Sequence, residues 1–354
     1  MSWKRGIYGS LDADALGAYK KLGIDAVFFD SASKEEVKQA KDEGFKIYVA
    51  VWAFRASIEE FGVEDVYGGR SLWAGAGCPN NPAVRENYML RIKKALASLD
   101  VDGIVLDGVR FPSPGSGRSS FLTCFCKHCC RKAETLGYEL SRIRRFLGGP
   151  QDPMAFFKTL DRSSPLVEWL DFRCDSITEH VKHVREHVGA SYPEAEVGAA
   201  VFTPSLATLA GQRYVELGSI LDFVQSMIYS KGEGLACINF ELAKLVEGFS
   251  IVEQRTPALQ NIYQNLGYLS FNPPSDTKSL IELGLPADVI GIEAKKAKGL
   301  VGANKARFTP IIFILGSGKE EFRKAEEQVI DASPDGVVYF SYHEGLEKIL
   351  DGRN

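Results

Sequence analysis

Along the chain, short apolar runs alternate with longer stretches in which apolar positions recur every three or four residues. The short runs carry Val, Ile and Phe without polar alternation, the pattern of strands covered on both faces and hence of a parallel sheet. Eight stand out, at residues 5–10, 24–30, 46–54, 102–110, 196–203, 222–229, 308–315 and 336–342. Between them the helical period predicts helices at 12–22, 34–43, 84–98, 166–188, 319–332 and 344–350. Eight strands in βα alternation predict a single (β/α)8 TIM barrel of the α/β class, in preference to an open doubly wound sheet. Three strand entries, at Asp102-Gly103, Asp222-Phe223 and Asp335-Gly336, share a short polar turn that plunges into an apolar run. The lower rim of a barrel requires such turns.

No Pro- or Ser-rich linker divides the chain, so residues 1–354 are read as one domain with insertions. The first, 55–82, follows the third strand, and the second, 113–164, follows the fourth. A third, 233–307, is helical in pattern and shows no strand before Phe308. The 354 residues are 45% hydrophobic and 25% charged, enough for one large core. A formal net charge of −4 gives no field for nucleic acid or an anionic membrane. No apolar run reaches the ~20 residues of a membrane helix. The N-terminus enters a strand at once and leaves no room for a secretory leader, so a cytoplasmic protein is expected. The pattern fixes no oligomeric state.

Cysteine spacing adds a second kind of information. Cys124, Cys126 and Cys129 form a C-x-C-x-x-C run, and Cys78 lies upstream in the first insertion. Thiolates so closely spaced can converge on one ion, and four sulfurs fill the tetrahedral shell of a structural zinc. A filled shell leaves no position for substrate, so such an ion would brace the loop. Paired or free thiols are the alternative, but a Cys124–Cys126 disulfide would be strained and seven cysteines is an odd count. Cys130 is a substitute ligand, while Cys174 and Cys237 read as small core residues inside helices.

A barrel of this kind gathers its site at the C-terminal strand ends. There the sequence places Tyr8, Asp30, Trp52, Arg55, Asp107, Arg110, Tyr229, Tyr342 and Glu344. Aromatic faces stack on the C–H face of a pyranose, and carboxyl groups transfer protons, so the set suits a carbohydrate. Asp107 ends four apolar residues as a lone acid, and Arg110 is expected to lower its pKa and keep it ionised. Glycoside hydrolysis calls for a second carboxyl group. Glu233, on a loop flanked by Gly232 and Gly234, is favoured because that loop can fold inward and desolvate the acid; Glu344 and Asp30 remain open. His180, His183 and His187 share one face of a long helix, read as a solvated outer face, and the charge-rich stretch 127–145 reads as surface.

The segment from Cys78 to Cys129 resembles family 42 glycoside hydrolases. Gly77-Cys78-Pro79-Asn80-Asn81-Pro82 and Cys124-Phe125-Cys126-Lys127-His128-Cys129 match that family's zinc site in type and order, which implies zinc ligands at Cys78, Cys124, Cys126 and Cys129. The catalytic pattern departs from it. An Asn-Glu pair is expected after strand four, where this chain has Leu106-Asp107-Gly108, and no acid directly follows 308–315. The strand-four segment is more similar to the D-G-x-x-L-D-x-x-R-x-P pattern of glycoside-hydrolase-like barrel proteins, through Asp102, Gly103, Leu106, Asp107, Arg110 and Pro112. That likeness implies a catalytic Asp107. Three functions follow as expectations: a glycoside hydrolase, a carbohydrate-binding barrel without catalysis, and another barrel hydrolase or lyase. The last lacks an H-x-H pair at the first strand.

Overall fold

Eight parallel strands close on themselves in a computed structural model that describes residues 4–157, 164–302, 304–313 and 318–340. They are β1 (Arg5–Tyr8), β2 (Ala26–Phe29), β3 (Lys46–Trp52), β4 (Gly103–Asp107), β5 (Glu196–Phe202), β6 (Phe223–Met227), β7 and β8 (Val337–Phe340). β7 comes in two pieces, Arg307–Phe308 and Ile311–Phe313. Pro310 between them has no N–H to give a ladder. The first piece pairs with β6 and the second mainly with β8. Arg5 lies opposite Val337, so β1 and β8 are neighbours and the sheet is a closed barrel. The predicted fold is the observed one.

Helices surround it: α1 (Ala13–Lys21), α2 (Lys34–Asp42), α3 (Pro82–Ser98), α4 (Pro165–Ser191), α5 (Tyr214–Ile220), α6 (Asp288–Val301) and α7 (Lys319–Ile330). Their starts are written in the sequence. Asp12 accepts from Ala15 N–H at α1, Ser33 and Glu36 form a reciprocal capping box at α2, and Asn81 with Pro82 opens α3. Among the described residues no helix is long and apolar enough to cross a membrane.

The three polar strand entries prove to be four. Asp25, Asp102, Asp222 and Asp335 precede the even strands, and each accepts an N–H from the first or second residue of the neighbouring odd strand. The distances are 2.8 Å to Arg5, 2.9 Å to Ile47, 2.8 Å to Val197 and 2.8 Å to Phe308. Burial would raise the Asp335 pKa, but the Phe308 N–H and Lys298 outweigh it and hold the carboxyl below its usual value.

Inside the barrel, Phe28, Tyr48 and Phe223 meet from three strands, with centroids 5.1 Å apart for Phe28–Tyr48 and 5.4 Å for Tyr48–Phe223. Gly198 faces this cluster because a Cβ there would stand 2.1 Å from the Phe223 ring. Outside, α4 corrects one expectation: of its three histidines His180 is fully buried, packed 5.1 Å from the Phe54 ring, and only His183 is exposed. Burial holds the His180 imidazole well below its ordinary pKa, so it is neutral.

Residues 55–82 contain a small antiparallel pair, Val63–Glu64 with Arg70–Ser71. Residues 113–164 hold the helices Lys127–Leu136 and Leu140–Leu147. Between β6 and α6 stand Ile238–Phe249, Val252–Leu266 and Thr277–Leu283.

Candidate active site

β4 ends at Asp107, and the chain then turns sharply through Gly108 at φ 65. A side chain is disfavoured there, since the backbone is left-handed and a Cβ would also press within 3.2 Å of the Trp52 ring. Trp52 stands directly opposite Asp107 in the β3–β4 register. The turn thus places an acid beside an indole at the mouth of the barrel.

A cavity of about 400 Å³ opens at that point, lined by Tyr8, Trp52, Asp107, Arg110, Phe202, Met227, Tyr229, Glu233, Phe313 and Phe340, among others. Much of its wall is aromatic. Tyr229 packs 5.1 Å from Phe313, and Tyr8 lies 5.2 Å from Phe28 and 5.4 Å from Phe340. Tyr8 donates its phenol proton to Gln225 Oε1 at 2.6 Å.

Asp107 keeps a partial opening to the cavity, yet protein surrounds its carboxyl closely enough to raise its pKa. Burial is the dominant cause; Arg110 and the Gly108 N–H pull the other way without prevailing. The expectation that Arg110 holds this acid ionised is therefore corrected. Among the described residues no ion pair joins the two. The Arg110 guanidinium instead lies between the Trp73 and Phe202 rings, 4.6 Å from each centroid, and donates to the Phe111 carbonyl at 3.1 Å. Burial draws its pKa down to about 10, against the attraction of Glu241 and then Asp107. Burial also raises Tyr8 and Tyr229, with the Asp107 charge as second cause, so neutral phenols flank the acid.

Glu241, on helix Ile238–Phe249, escaped the sequence reading. It is fully buried and accepts from Ser113 Oγ at 2.8 Å, Gly115 N–H at 2.6 Å and Ala236 N–H at 3.0 Å. One carboxyl thereby ties the loop after β4 to the loop after β6. Burial raises its pKa, opposed by Arg110 and these donors. An acid three positions after Ile238 and one before Leu242, on an apolar helix face, was the available signal.

Of the residues expected at the site, Tyr8, Trp52, Asp107, Arg110, Tyr229 and Glu233 line the cavity. Glu233 is exposed at its edge, so the desolvation expected of it is not found. Asp30 is exposed and borders a separate outer groove with Arg91 and Lys94. Arg55 is exposed too, in an antiparallel bridge with Ala76. Tyr342 and Glu344 lie outside the described residues. Cys237 is not inside a helix: it caps Ile238–Phe249 and faces the cavity.

The other four cysteines converge. Cys78, Cys124, Cys126 and Cys129 are buried, with all four sulfurs within 4.8 Å of one another. Cys78 Sγ lies 3.5 Å from Cys129, 3.6 Å from Cys124 and 3.5 Å from Cys126. These separations are far from the ~2.05 Å of a disulfide. They fit the ~3.8 Å edge of a tetrahedron built on the ~2.3 Å Zn–S bond. Donors face the sulfurs: Asn80 N–H reaches Cys78 at 3.3 Å, Glu64 N–H reaches Cys124 at 3.3 Å, and Asn80 Nδ2 reaches Cys129 at 3.4 Å. The donor set can hold a thiophilic metal ion.

No protein-family model matches the chain. An S-layer-related protein of Niallia circulans is 26% identical over 109 residues, which are 30% of this chain and 6% of that protein. Among solved structures, the PgaB (BpsB) glycoside hydrolase domain from Bordetella bronchiseptica superposes with a TM-score of 0.58 at 12% identity, covering 99% of this chain and 98% of that one. A polyextremophilic β-galactosidase from the Antarctic haloarchaeon Halorubrum lacusprofundi gives 0.57 at 13% identity; the match covers 97% of this chain but about half, 53%, of that one. At such identities the likeness is one of fold.

Proposed function

We propose that this protein is a glycoside hydrolase acting on an oligosaccharide, with Asp107 as its proton-donating carboxyl group. The observation that carries the reading is a strand-four acid of raised pKa in the wall of an aromatic cavity. An acid whose pKa is raised holds its proton to higher pH than an ordinary carboxyl group and can give it to a leaving glycosidic oxygen. Trp52 and Tyr229 offer faces for sugar rings, and Tyr8 a hydroxyl. Glu233 is proposed as the second carboxylate, its place at the open cavity edge suiting a group that orients water. The likeness in fold to two proteins named as glycosidases supports the same reading. The four cysteines are proposed to hold a structural zinc, outside the chemistry.

The test is a screen on chromogenic glycosides with wild type and Asp107→Asn. Hydrolysis by the wild type, reduced about 10²- to 10⁴-fold in the variant, is expected for a lost general acid. A non-catalytic carbohydrate-binding barrel is the second reading, favoured by the sequence having no acid directly after residues 308–315. Sugar binding by both proteins with turnover by neither would establish it.

A further inference from the structure

Arg173 projects from α4 into the protein interior and is fully buried. Three rings enclose its guanidinium, with centroids 4.4 Å away for Trp169, 5.1 Å for Phe111 and 5.4 Å for Phe121. One nitrogen donates to the Pro112 carbonyl, just beyond the Asp107–Arg110 turn. Its Nε and Nη1 have no hydrogen-bond partner, and among the described residues no carboxylate pairs with it. An unpaired charge taken out of water costs several kcal/mol on the usual scale. Some anion must offset this cation.

The same face of α4 backs the cysteine cluster. Trp169 Nε1 donates to the Thr123 carbonyl at 3.1 Å, next to Cys124, and Ser176 Oγ accepts from Asn80 Nδ2 at 3.0 Å, the amide that also reaches Cys129. Arg173 stands on that same face, four positions after Trp169 and three before Ser176, and nearby Cys174 is a buried thiol whose pKa is pushed up to about 12. A divalent ion held by four thiolates carries a net charge of −2. Glu241 already serves Arg110, the other buried guanidinium of this region.

We infer that Arg173 is the counter-cation of the four-cysteine metal centre, completing a charge pair between α4 and the loop that follows β4. The inference rests on the zinc reading above and adds to it a residue that binds no metal. Groups behind metal ligands commonly change affinity 10- to 100-fold when removed.

The experiment measures zinc retention against a chromogenic chelator in purified wild type, Arg173→Met and Arg173→Lys. Arg173→Met is expected to lose zinc at 10- to 100-fold lower chelator concentration, and Arg173→Lys to stay within about threefold of wild type. Wild-type retention in Arg173→Met overturns the inference, as does an equal loss in both variants, which would assign the effect to guanidinium packing. Should Arg173→Met fail to fold, Arg173→Lys decides alone, a tenfold loss counting against the counter-charge. Wild type purified without zinc would instead remove the metal reading itself.

Discussion

Asp107 is one carboxyl group whose surroundings pull in two directions. Burial favours its neutral form, while Arg110, held between two rings instead of paired to it, favours the charged one. Activity that needs the Asp107 proton should fall as pH rises through the raised pKa. Removing the positive charge in Arg110→Met lets that pKa rise further, so the alkaline limb of kcat/KM should move to higher pH; movement to lower pH would contradict the assignment. Stability follows by linkage. A carboxyl group whose folded pKa is raised loses stability as pH climbs from its unfolded value through its folded one. Asp107→Asn should therefore melt higher than wild type near neutrality, with the gap closing in acid. Calorimetry at two pH values checks this. The lone acid at the end of an apolar run was legible at this scale, as were Tyr8, Trp52 and Tyr229. The sign of its pKa was not, because Arg110 three residues away in sequence says nothing of the Trp73 and Phe202 rings that hold it. Glu233 shows the same limit: flanking glycines permit an inward loop without requiring one.

At the scale of elements, strand positions followed from unbroken apolar runs, and helix starts from Asp12, Ser33 and Asn81. The weak run was β7, where Pro310 breaks the ladder. What stayed hidden was contact between loops far apart in the chain. Glu241 reads as one acid in a helix, yet it accepts from both loops that shape the cavity. Glu241→Ala leaves the buried Ala236 N–H and the part-buried Gly115 N–H without their acceptor, at roughly 1–3 kcal/mol for the buried one. It should lower the melting temperature and raise KM for any glycoside turned over. Glu241→Gln, which keeps an acceptor oxygen, should restore part of both. Unchanged KM in the alanine variant would show that the two loops hold their shape without the clamp.

For the whole molecule, the cysteine cluster brings the two insertions together, with Cys78 from one and three cysteines from the other. The convergence of the four sulfurs was legible because it is a matter of spacing, whereas the burial of His180 depended on which face of α4 met Phe54. Loss of the proposed zinc, by chelation or in Cys126→Ser, should remove several kcal/mol of folding free energy and metal content together. Purified protein with under half an equivalent of zinc would count against that.

The four aspartates of the lower rim have a kinetic consequence. Each fastens an even strand's entry to the first or second amide of its odd neighbour, so strands are latched as β1–β2, β3–β4, β5–β6 and β7–β8. Proton–deuteron exchange should then be slow at Arg5, Ile47, Val197 and Phe308, although amides near a strand's start ordinarily fray. Replacing Asp222 by Ala should quicken exchange at Val197 and leave Arg5 and Phe308 unchanged. Acceleration at all four together would mean that the rim opens as one ring. Expected instead is a barrel that loosens from below one latched pair at a time, while the opposite end, where Asp107 sits, stays closed.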